Sequence, residues 1–204
     1  MAESSPRVLV VVAHPHDASL TRGLAMAAVV AASDAGARVW VHDLYADGFD
    51  PMLKTYEIGT GYFDDPLAER YVAELIETDG IVVVHPVWFF HAPAVLKGWV
   101  ERIVREGVAF GVSPEGAITG LLRARRALVV TTANSSTEVE RSVFGDPLVT
   151  FWRKIVFGPA GVPEVERVAF TPVRGSDEDV RTAWLAEVRT KVARLVADLE
   201  AGAA

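Results

Sequence analysis

Residues 81–102 decide the fold of this chain, and they read IVVVHPVWFFHAPAVLKGWVER. The apolar run at the start predicts a buried strand. Pro93 predicts the first position of a helix, where the missing N–H group of proline has no partner to lose. Between the two lie Trp88, Phe89 and Phe90. Because ligands of open α/β sheets bind outside the carboxyl ends of the strands, this aromatic stretch is predicted to wall a site for a flat, conjugated ligand.

The rest of the chain alternates apolar, strand-like runs with helical patterns, which is typical of a parallel sheet with crossover helices. The pattern predicts strands over residues 7–13, 37–43, 80–85, 127–132 and 164–171. It predicts helices over residues 19–35, 66–78, 93–105, 142–157 and 176–200, the last capped by Ser176. Residues 44–65 read as a long irregular segment and residues 107–119 as a hairpin or loose excursion. We therefore expect a single doubly wound α/β domain over residues 1–204.

Composition narrows the class of protein. The chain has 204 residues, of which half are hydrophobic, and this favours a packed core over disorder. Its formal charge of −7 argues against a general nucleic-acid binder. The absence of cysteine excludes disulfides, thiolate catalysis and cysteine-ligated metals. No apolar run is long enough for a transmembrane segment and no signal peptide is visible, so we expect a cytoplasmic protein.

The junction after the first predicted strand, residues 13–21, reads AHPHDASLT. A strand–loop–helix junction presents free N–H groups and a positive dipole end to an anion. The hydroxyls of Ser19 and Thr21 and the ring of His14 could add to such a site. The loop is neither a glycine-rich dinucleotide fingerprint nor a Walker loop. The alternative is that Ser19 merely caps the helix and His14 is a turn residue.

Three segments in this order resemble one family. They are residues 10–15 (VVVAHP), residues 86–99 together with 107–110 (GVAF), and residues 130–132 (VTT). Over residues 7–195 the chain is similar to the flavodoxin-like NAD(P)H:quinone oxidoreductases. That family includes DT-diaphorase, the modulator-of-drug-activity proteins and the ancillary flavoproteins of potassium efflux systems. The resemblance implies a flavodoxin-like five-stranded parallel sheet of order 2-1-3-4-5 with helices on both faces.

The resemblance also implies a flavin, FAD or FMN, at the carboxyl edge of the sheet. The residues that would hold its phosphates are His14, Ser19, Leu20 and Thr21. Those that would contact the isoalloxazine ring and ribityl chain are Pro86, Val87, Trp88, Phe89 and Phe90. The opposite edge of the ring would be lined by Thr131, Thr132, Ala133 and Asn134. No metal is expected, because the two histidines of the aromatic stretch, His85 and His91, lack carboxylates placed to help.

The function that the resemblance implies is that of an NAD(P)H dehydrogenase (quinone)-like flavoenzyme. Hydride would pass from NAD(P)H through the bound flavin to a quinone or similar acceptor by a ping-pong mechanism. One alternative is a regulatory flavoprotein subunit of a potassium/proton antiporter. Another is a one-electron carrier of the flavodoxin type, against which the aromatic slot argues.

The segment after the threonine pair departs from the pattern of the family. Several members carry a tyrosine and a histidine there, and the aligned positions here are Glu138 and Phe144. Neither side chain can act as the original would, so no catalytic residue is predicted.

A homodimer is expected, with each active site completed by the partner chain. The reason is that the aromatic loop and the helix over 93–105 would expose more apolar surface than one domain can cover, provided that Trp152 also faces outward.

Overall fold

A computed structural model describes residues 5–60 and 62–202 of the chain. Five parallel strands form one sheet in the order β2-β1-β3-β6-β7, with β4 and β5 forming a separate antiparallel hairpin. The strands are β1 (Arg7–Val12), β2 (Arg38–Asp43), β3 (Gly80–Pro86), β4 (Phe110–Val112), β5 (Ile118–Gly120), β6 (Arg126–Thr132) and β7 (Glu164–Phe170). Leaving out the hairpin, the order is 2-1-3-4-5, which confirms the predicted doubly wound topology.

Helices cover both faces of the sheet. They are α1 (Leu20–Asp34), α2 (Pro66–Ile76), α3 (Ala94–Ile103), α4 (Thr137–Phe144), the short α5 (Pro147–Val149), a π-helix (Thr150–Phe157) and α6 (Glu178–Ala201). One face of the sheet packs on α1 and α6, and the other packs on α2, α3 and the π-helix. Strands β1, β3 and β6 are buried on both faces, which explains why they read as continuous apolar runs.

The prediction of one helix over residues 142–157 is wrong. Ser136 caps α4, which therefore begins earlier, and α4 ends at Gly145, whose φ of 69° is a left-handed C-cap. Asp146 follows with a φ of 56° and caps α5, which runs on into the π-helix. The glycine breaks a pattern of apolar residues that would otherwise pass for one continuous helix.

At two predicted helix starts the observed cap is not the expected residue. Pro93 is the N-cap of α3 rather than its first residue. Asp177, and not Ser176, caps α6 by accepting a hydrogen bond from the N–H of Val180.

The irregular segment of residues 44–65, which includes a 3-10 turn (Thr55–Glu57), is fastened to α3. The guanidinium of Arg102, only 1% exposed, binds Glu57 at 2.6 Å and Asp65 at 3.1 Å. A Cβ atom on Gly98 would come within 2.3 Å of the Cβ of Pro51. The segment therefore lies flat on α3 and depends on a glycine at position 98.

The exposed apolar surface agrees only in part with the prediction, because Trp88 and Phe89 of the aromatic loop are exposed. Trp152 and the apolar side of α3 are buried, so the premise that Trp152 faces outward is wrong. The large exposed apolar side chains include Met52, Ile58 and Tyr62 of the irregular segment and Ile118 of the hairpin. Across the residues that the structure describes, no helix combines the length and the apolar character needed to cross a membrane.

Candidate functional site

Three segments meet at the carboxyl edge of the sheet, as predicted from their positions after β1, β3 and β6. The N–H of Ala13 donates to the carbonyl of Val84 at 3.1 Å, and the N–H of Val87 donates to the carbonyl of Thr132 at 2.8 Å. The hydroxyls of Thr21 and Thr132 lie 2.8 Å apart. These bonds fix the start of α1, the aromatic loop and the end of β6 relative to one another.

The start of α1 is organised by Ser19, whose hydroxyl accepts the N–H of Arg22 at 3.2 Å. The helix then begins with Leu20 and Thr21, whose N–H groups have no partner within a helix. The ring Nδ1 of His14 accepts the N–H of His16 at 3.1 Å, and partial burial lowers the pKa of His14. The side chains of Ser19 and His14 thus stabilise the loop through hydrogen bonds. The N–H groups of Leu20 and Thr21 stay available to an anion.

Arg22 is a residue that sequence reasoning missed. Its Nη2 binds Asp43 at 2.7 Å, and its Nη1 lies 3.6 Å from Asp17. The Nη1 atom is buried and makes no hydrogen bond. The sequence does carry one signal for Arg22. It is a basic residue in the first turn of a helix, where the helix dipole favours acidic residues.

The aromatic stretch forms a two-residue turn between Trp88 and His91, whose backbone groups exchange hydrogen bonds of 3.0 and 2.9 Å. Phe89 and Phe90, at the tip, have φ values of 50° and 57°. Each bulky residue in this left-handed region costs about 1–2 kcal/mol. Phe89 is fully exposed, with a relative accessibility of 102%, so packing does not compensate for the strain. Strain of this kind is typical of functional sites.

The neighbours of the turn support it from below. Pro86 is buried at the end of β3, and Val87 packs on the core. The ring of Phe90 lies against that of Phe144, with centroids 4.1 Å apart. Trp88, with its ring 6.1 Å from that of His14, joins the turn to the start of α1.

The hydroxyls of the threonine pair at the end of β6 are both engaged within the protein. Thr132 binds Thr21, whereas Thr131 donates to the carbonyl of Val168 at 3.3 Å and accepts from Arg167. These two side chains therefore face the interior of the protein. At the predicted site they support, from beneath, the two residues that follow β6.

The rim of the predicted site is formed by the two residues that follow β6. The N–H of Ala133 donates to Phe170 at 3.0 Å, and the side-chain oxygen of Asn134 accepts from the N–H of Arg174 at 2.8 Å. These bonds hold the rim against the loop after β7.

A second feature that sequence reasoning missed is an ionic cluster behind Thr131. Arg167 of β7 contacts Glu140 at 2.8 Å and Asp146 at 3.2 Å. Arg167 lies 27 positions from Glu140 and 21 from Asp146, and no local pattern links it to them.

His85 lies beneath the aromatic loop and is fully buried. Its Nδ1–H donates to the carbonyl of Pro86 at 2.8 Å, and its Nε2 accepts the indole N–H of Trp152 at 3.1 Å. Burial lowers the pKa of His85 to about 4. His85 is therefore a neutral core residue. His91, by contrast, packs edge-on against Phe151.

One cavity, of about 580 Å³, lies at the other end of the sheet between β6, β7 and α6. Another, of about 240 Å³, is lined by Arg167 and its neighbours.

A parallel sheet of order 2-1-3-4-5, with a helix start and a strained aromatic turn at its carboxyl edge, defines the flavodoxin-like class of α/β proteins. Flavodoxin_2, a family of flavodoxin-like fold, matches residues 6–194, and the chain belongs to this family.

Relatives agree with this assignment. The ribosyldihydronicotinamide dehydrogenase (quinone) of Homo sapiens is 30% identical over 168 residues, which cover 72% of this chain and 72% of that protein. The FMN-dependent NADH:quinone oxidoreductase of Shewanella denitrificans is 32% identical over 173 residues, covering 79% of this chain and 84% of that protein. Among solved structures, an NAD(P)H:quinone oxidoreductase from Methanothermobacter marburgensis has a TM-score of 0.82 at 22% identity, covering 94% of this chain and all of that one. This last likeness supports the fold.

Proposed function

We propose that the chain is a flavin-dependent NAD(P)H oxidoreductase whose acceptor is a quinone or a similar flat, conjugated compound. The observation that carries the proposal is the strained turn at Phe89 and Phe90, which holds aromatic side chains in the open at the ligand-binding edge of the sheet. The relatives named as quinone oxidoreductases point to the same reaction. A bound flavin would supply the hydride chemistry.

The residues present fit such a group. The free N–H groups of Leu20 and Thr21, together with the Nη1 of Arg22, which makes no hydrogen bond, suit a phosphate. The N–H groups of Phe89 and Phe90 make no hydrogen bond within residues 5–60 and 62–202, so they are available to the polar atoms of a ring.

We propose the following roles for the predicted site residues, adjusted to the contacts described above. His14, Ser19, Leu20 and Thr21 would surround the phosphate, and Trp88 and Phe89 would flank the ring, with Pro86, Val87 and Phe90 as its support. Thr131, Thr132, Ala133 and Asn134 would shape the opposite edge, the first two through their buried hydroxyls. These side chains would bind, orient and exclude water, and Phe144 makes the wall beside Phe90 apolar.

The antiporter alternative has no support in the names of the relatives. Reconstitution with FMN and with FAD, followed by desalting and mass spectrometry of the retained cofactor, tests the main proposal. NADH and NADPH oxidation with a quinone and an azo acceptor then identifies the substrates. A protein that stays colourless with either flavin contradicts the proposal.

We also propose a homodimer in which the partner chain covers the carboxyl edge of the sheet and completes the site. The exposed apolar residues of segment 44–65 and of the hairpin, among them Ile58 and Ile118, support it in place of Trp152. Light scattering at micromolar concentration should give twice the mass of the chain. A monomer that binds flavin would contradict the site shared between two chains and leave the proposed flavin chemistry unaffected.

We further propose that residues 1–204 fold as one domain, which a single cooperative unfolding transition would support. A cytoplasmic location, where NAD(P)H is available, is proposed as well and is tested by cell fractionation.

A further inference from the structure

Arg167 is the centre of a buried ionic cluster that joins three elements. Its side chain is 8% exposed. Its Nη2 donates to Glu140 at 2.8 Å, and its Nη1 donates to Asp146 at 3.2 Å. Its Nε and Nη2 also donate to the hydroxyl of Thr131, at 3.3 and 3.2 Å. One guanidinium of β7 thereby holds α4, the break after α4 and strand β6.

The cluster connects both halves of the aromatic wall. Phe144 is the last residue of α4 and lies between Glu140 and Asp146 in sequence, so the two carboxylates fix its position from either side. Phe90 belongs to the loop whose Val87 N–H is bonded to the residue next to Thr131. The 4.1 Å contact between the rings of Phe90 and Phe144 therefore joins α4, which Arg167 holds directly, to the aromatic loop, which is bonded to Thr132 beside Thr131.

We propose that Arg167 is a positioning residue of the active site, which holds Phe144 on Phe90 and so keeps the strained turn in the geometry that receives ring and acceptor. This inference rests on the proposed function for its chemical consequence. Its structural part concerns the chain alone.

The electrostatics of the cluster favour this role. Glu140 and Asp146, whose side chains are 5% and 28% exposed, both contact the guanidinium and would lose this shared positive charge without it. Glu140 already has one buried oxygen, Oε1, without a hydrogen-bond partner. Loss of Arg167 leaves these carboxylates uncompensated, and the direct relief is movement of α4 outward.

The first experiment needs no cofactor. Amide hydrogen exchange of residues 137–146 should speed up by about tenfold or more in Arg167→Gln, because local opening of α4 becomes easier, while β1 and β3 keep wild-type protection. The matched control is Glu166→Gln, which removes the exposed ion pair of the adjacent residue with Lys191. This control should leave exchange in α4 unchanged.

The second experiment uses the flavin-loaded protein. Arg167→Gln should retain flavin, shift its visible circular dichroism, and slow the step with the acceptor by about 10- to 100-fold, as expected for a misplaced reaction geometry. Arg167→Lys should restore only part of the rate, because lysine keeps the charge without the planar fork. A purely stabilising role would lower the melting temperature and leave the spectrum and the rates unchanged.

The outcomes separate the two proposals. Wild-type protein that takes up no flavin defeats the proposed function, and the exchange data still decide whether Arg167 holds α4. Wild-type exchange, spectrum and rates in folded Arg167→Gln overturn the present inference. If Arg167→Gln does not fold, Glu140→Gln replaces it, since this variant keeps the shape of the side chain. Wild-type behaviour there overturns the inference equally.

Discussion

Two buried histidines, His42 at the end of β2 and His85 at the end of β3, share an unusual partner. Each ring accepts a hydrogen bond from the indole N–H of a tryptophan. Trp99 donates to the Nδ1 of His42 at 3.2 Å, and Trp152 donates to the Nε2 of His85 at 3.1 Å. The two pairs lie in the same apolar layer on one face of the sheet.

The other ring nitrogen distinguishes them. The Nε2 of His42 binds Glu74 at 2.9 Å, and its ring stacks on Tyr71. The Nδ1 of His85 donates to the carbonyl of Pro86, the residue from which the aromatic loop departs. The two rings thus carry their protons on opposite nitrogens. The comparison teaches that the same tryptophan–histidine pair fastens a helix in one place and supports the aromatic loop in the other.

Acidification should give the largest effect. The unfolded chain protonates His85 near its ordinary pKa of 6.5, whereas the folded chain does so only at about 4. The stability that neutral His85 supports is therefore complete above pH 6.5 and falls as the pH drops towards 4, by about 3 kcal/mol in total.

Urea unfolding between pH 7 and pH 4 measures this loss, with His85→Gln as the reference. Glutamine can keep both hydrogen bonds and does not titrate, so its profile should be flatter. Parallel profiles for the two proteins would show that His85 is not the group responsible.

Replacing each tryptophan by phenylalanine tests the shared tryptophan–histidine pair directly. Trp99→Phe and Trp152→Phe each leave a buried imidazole nitrogen without its donor and should cost about 1–3 kcal/mol. Denaturant unfolding measures both losses, and a flavin titration separates the variants. Only Trp152→Phe should weaken flavin binding, and an equal effect from Trp99→Phe would break the distinction between the two regions.

Phe89→Gly should stabilise the fold by about 1 kcal/mol, because glycine adopts positive φ without strain. It should also weaken flavin binding or slow turnover, since the exposed ring is lost. Phe89→Ala is the matched control, because it removes the ring and keeps the strain. Thermal unfolding and flavin affinity together report the result. A stabilised glycine variant with full activity would show that the strained turn has no role in the function.

Glu74→Gln should have the smallest effect and sharpen the comparison. Burial lowers the pKa of His42, and the hydrogen bond and charge of Glu74 oppose this effect. Removing that charge should move the pKa of His42 still lower and leave the pKa of His85 unchanged. NMR titration of the histidine rings follows both, and a shift at His85 would mean that the two regions are coupled.

The sequence was sufficient for the sheet, because the valine-rich strands are buried on both faces and stand out as apolar runs. It was also sufficient for the edge at which the candidate site lies, since loops that follow β1, β3 and β6 must meet there. The strain at Phe89 was not predictable, because a Phe-Phe pair is a poor sequence for a turn that requires positive φ.

Long-range polar contacts were beyond the sequence for a different reason. Arg167 and Glu140 are 27 positions apart and meet only through the packing of α4 on the sheet. The dimer expectation assumed that Trp152 faces outward, whereas its side chain is 1% exposed. Periodicity could not tell a buried face of this segment from an exposed one.

The packing of segment 44–65 on α3 has a consequence for how such chains diverge. Leu96 and Trp99 lie in the core, and Gly98 leaves room for Pro51. Residues 96–99 are therefore constrained by packing, whereas the exposed Phe89 of the turn beside them is not. A related chain could lose the turn while every residue of this stretch persisted. Under the function proposed above, a sequence match over residues 96–99 alone would not show that such a chain keeps the activity.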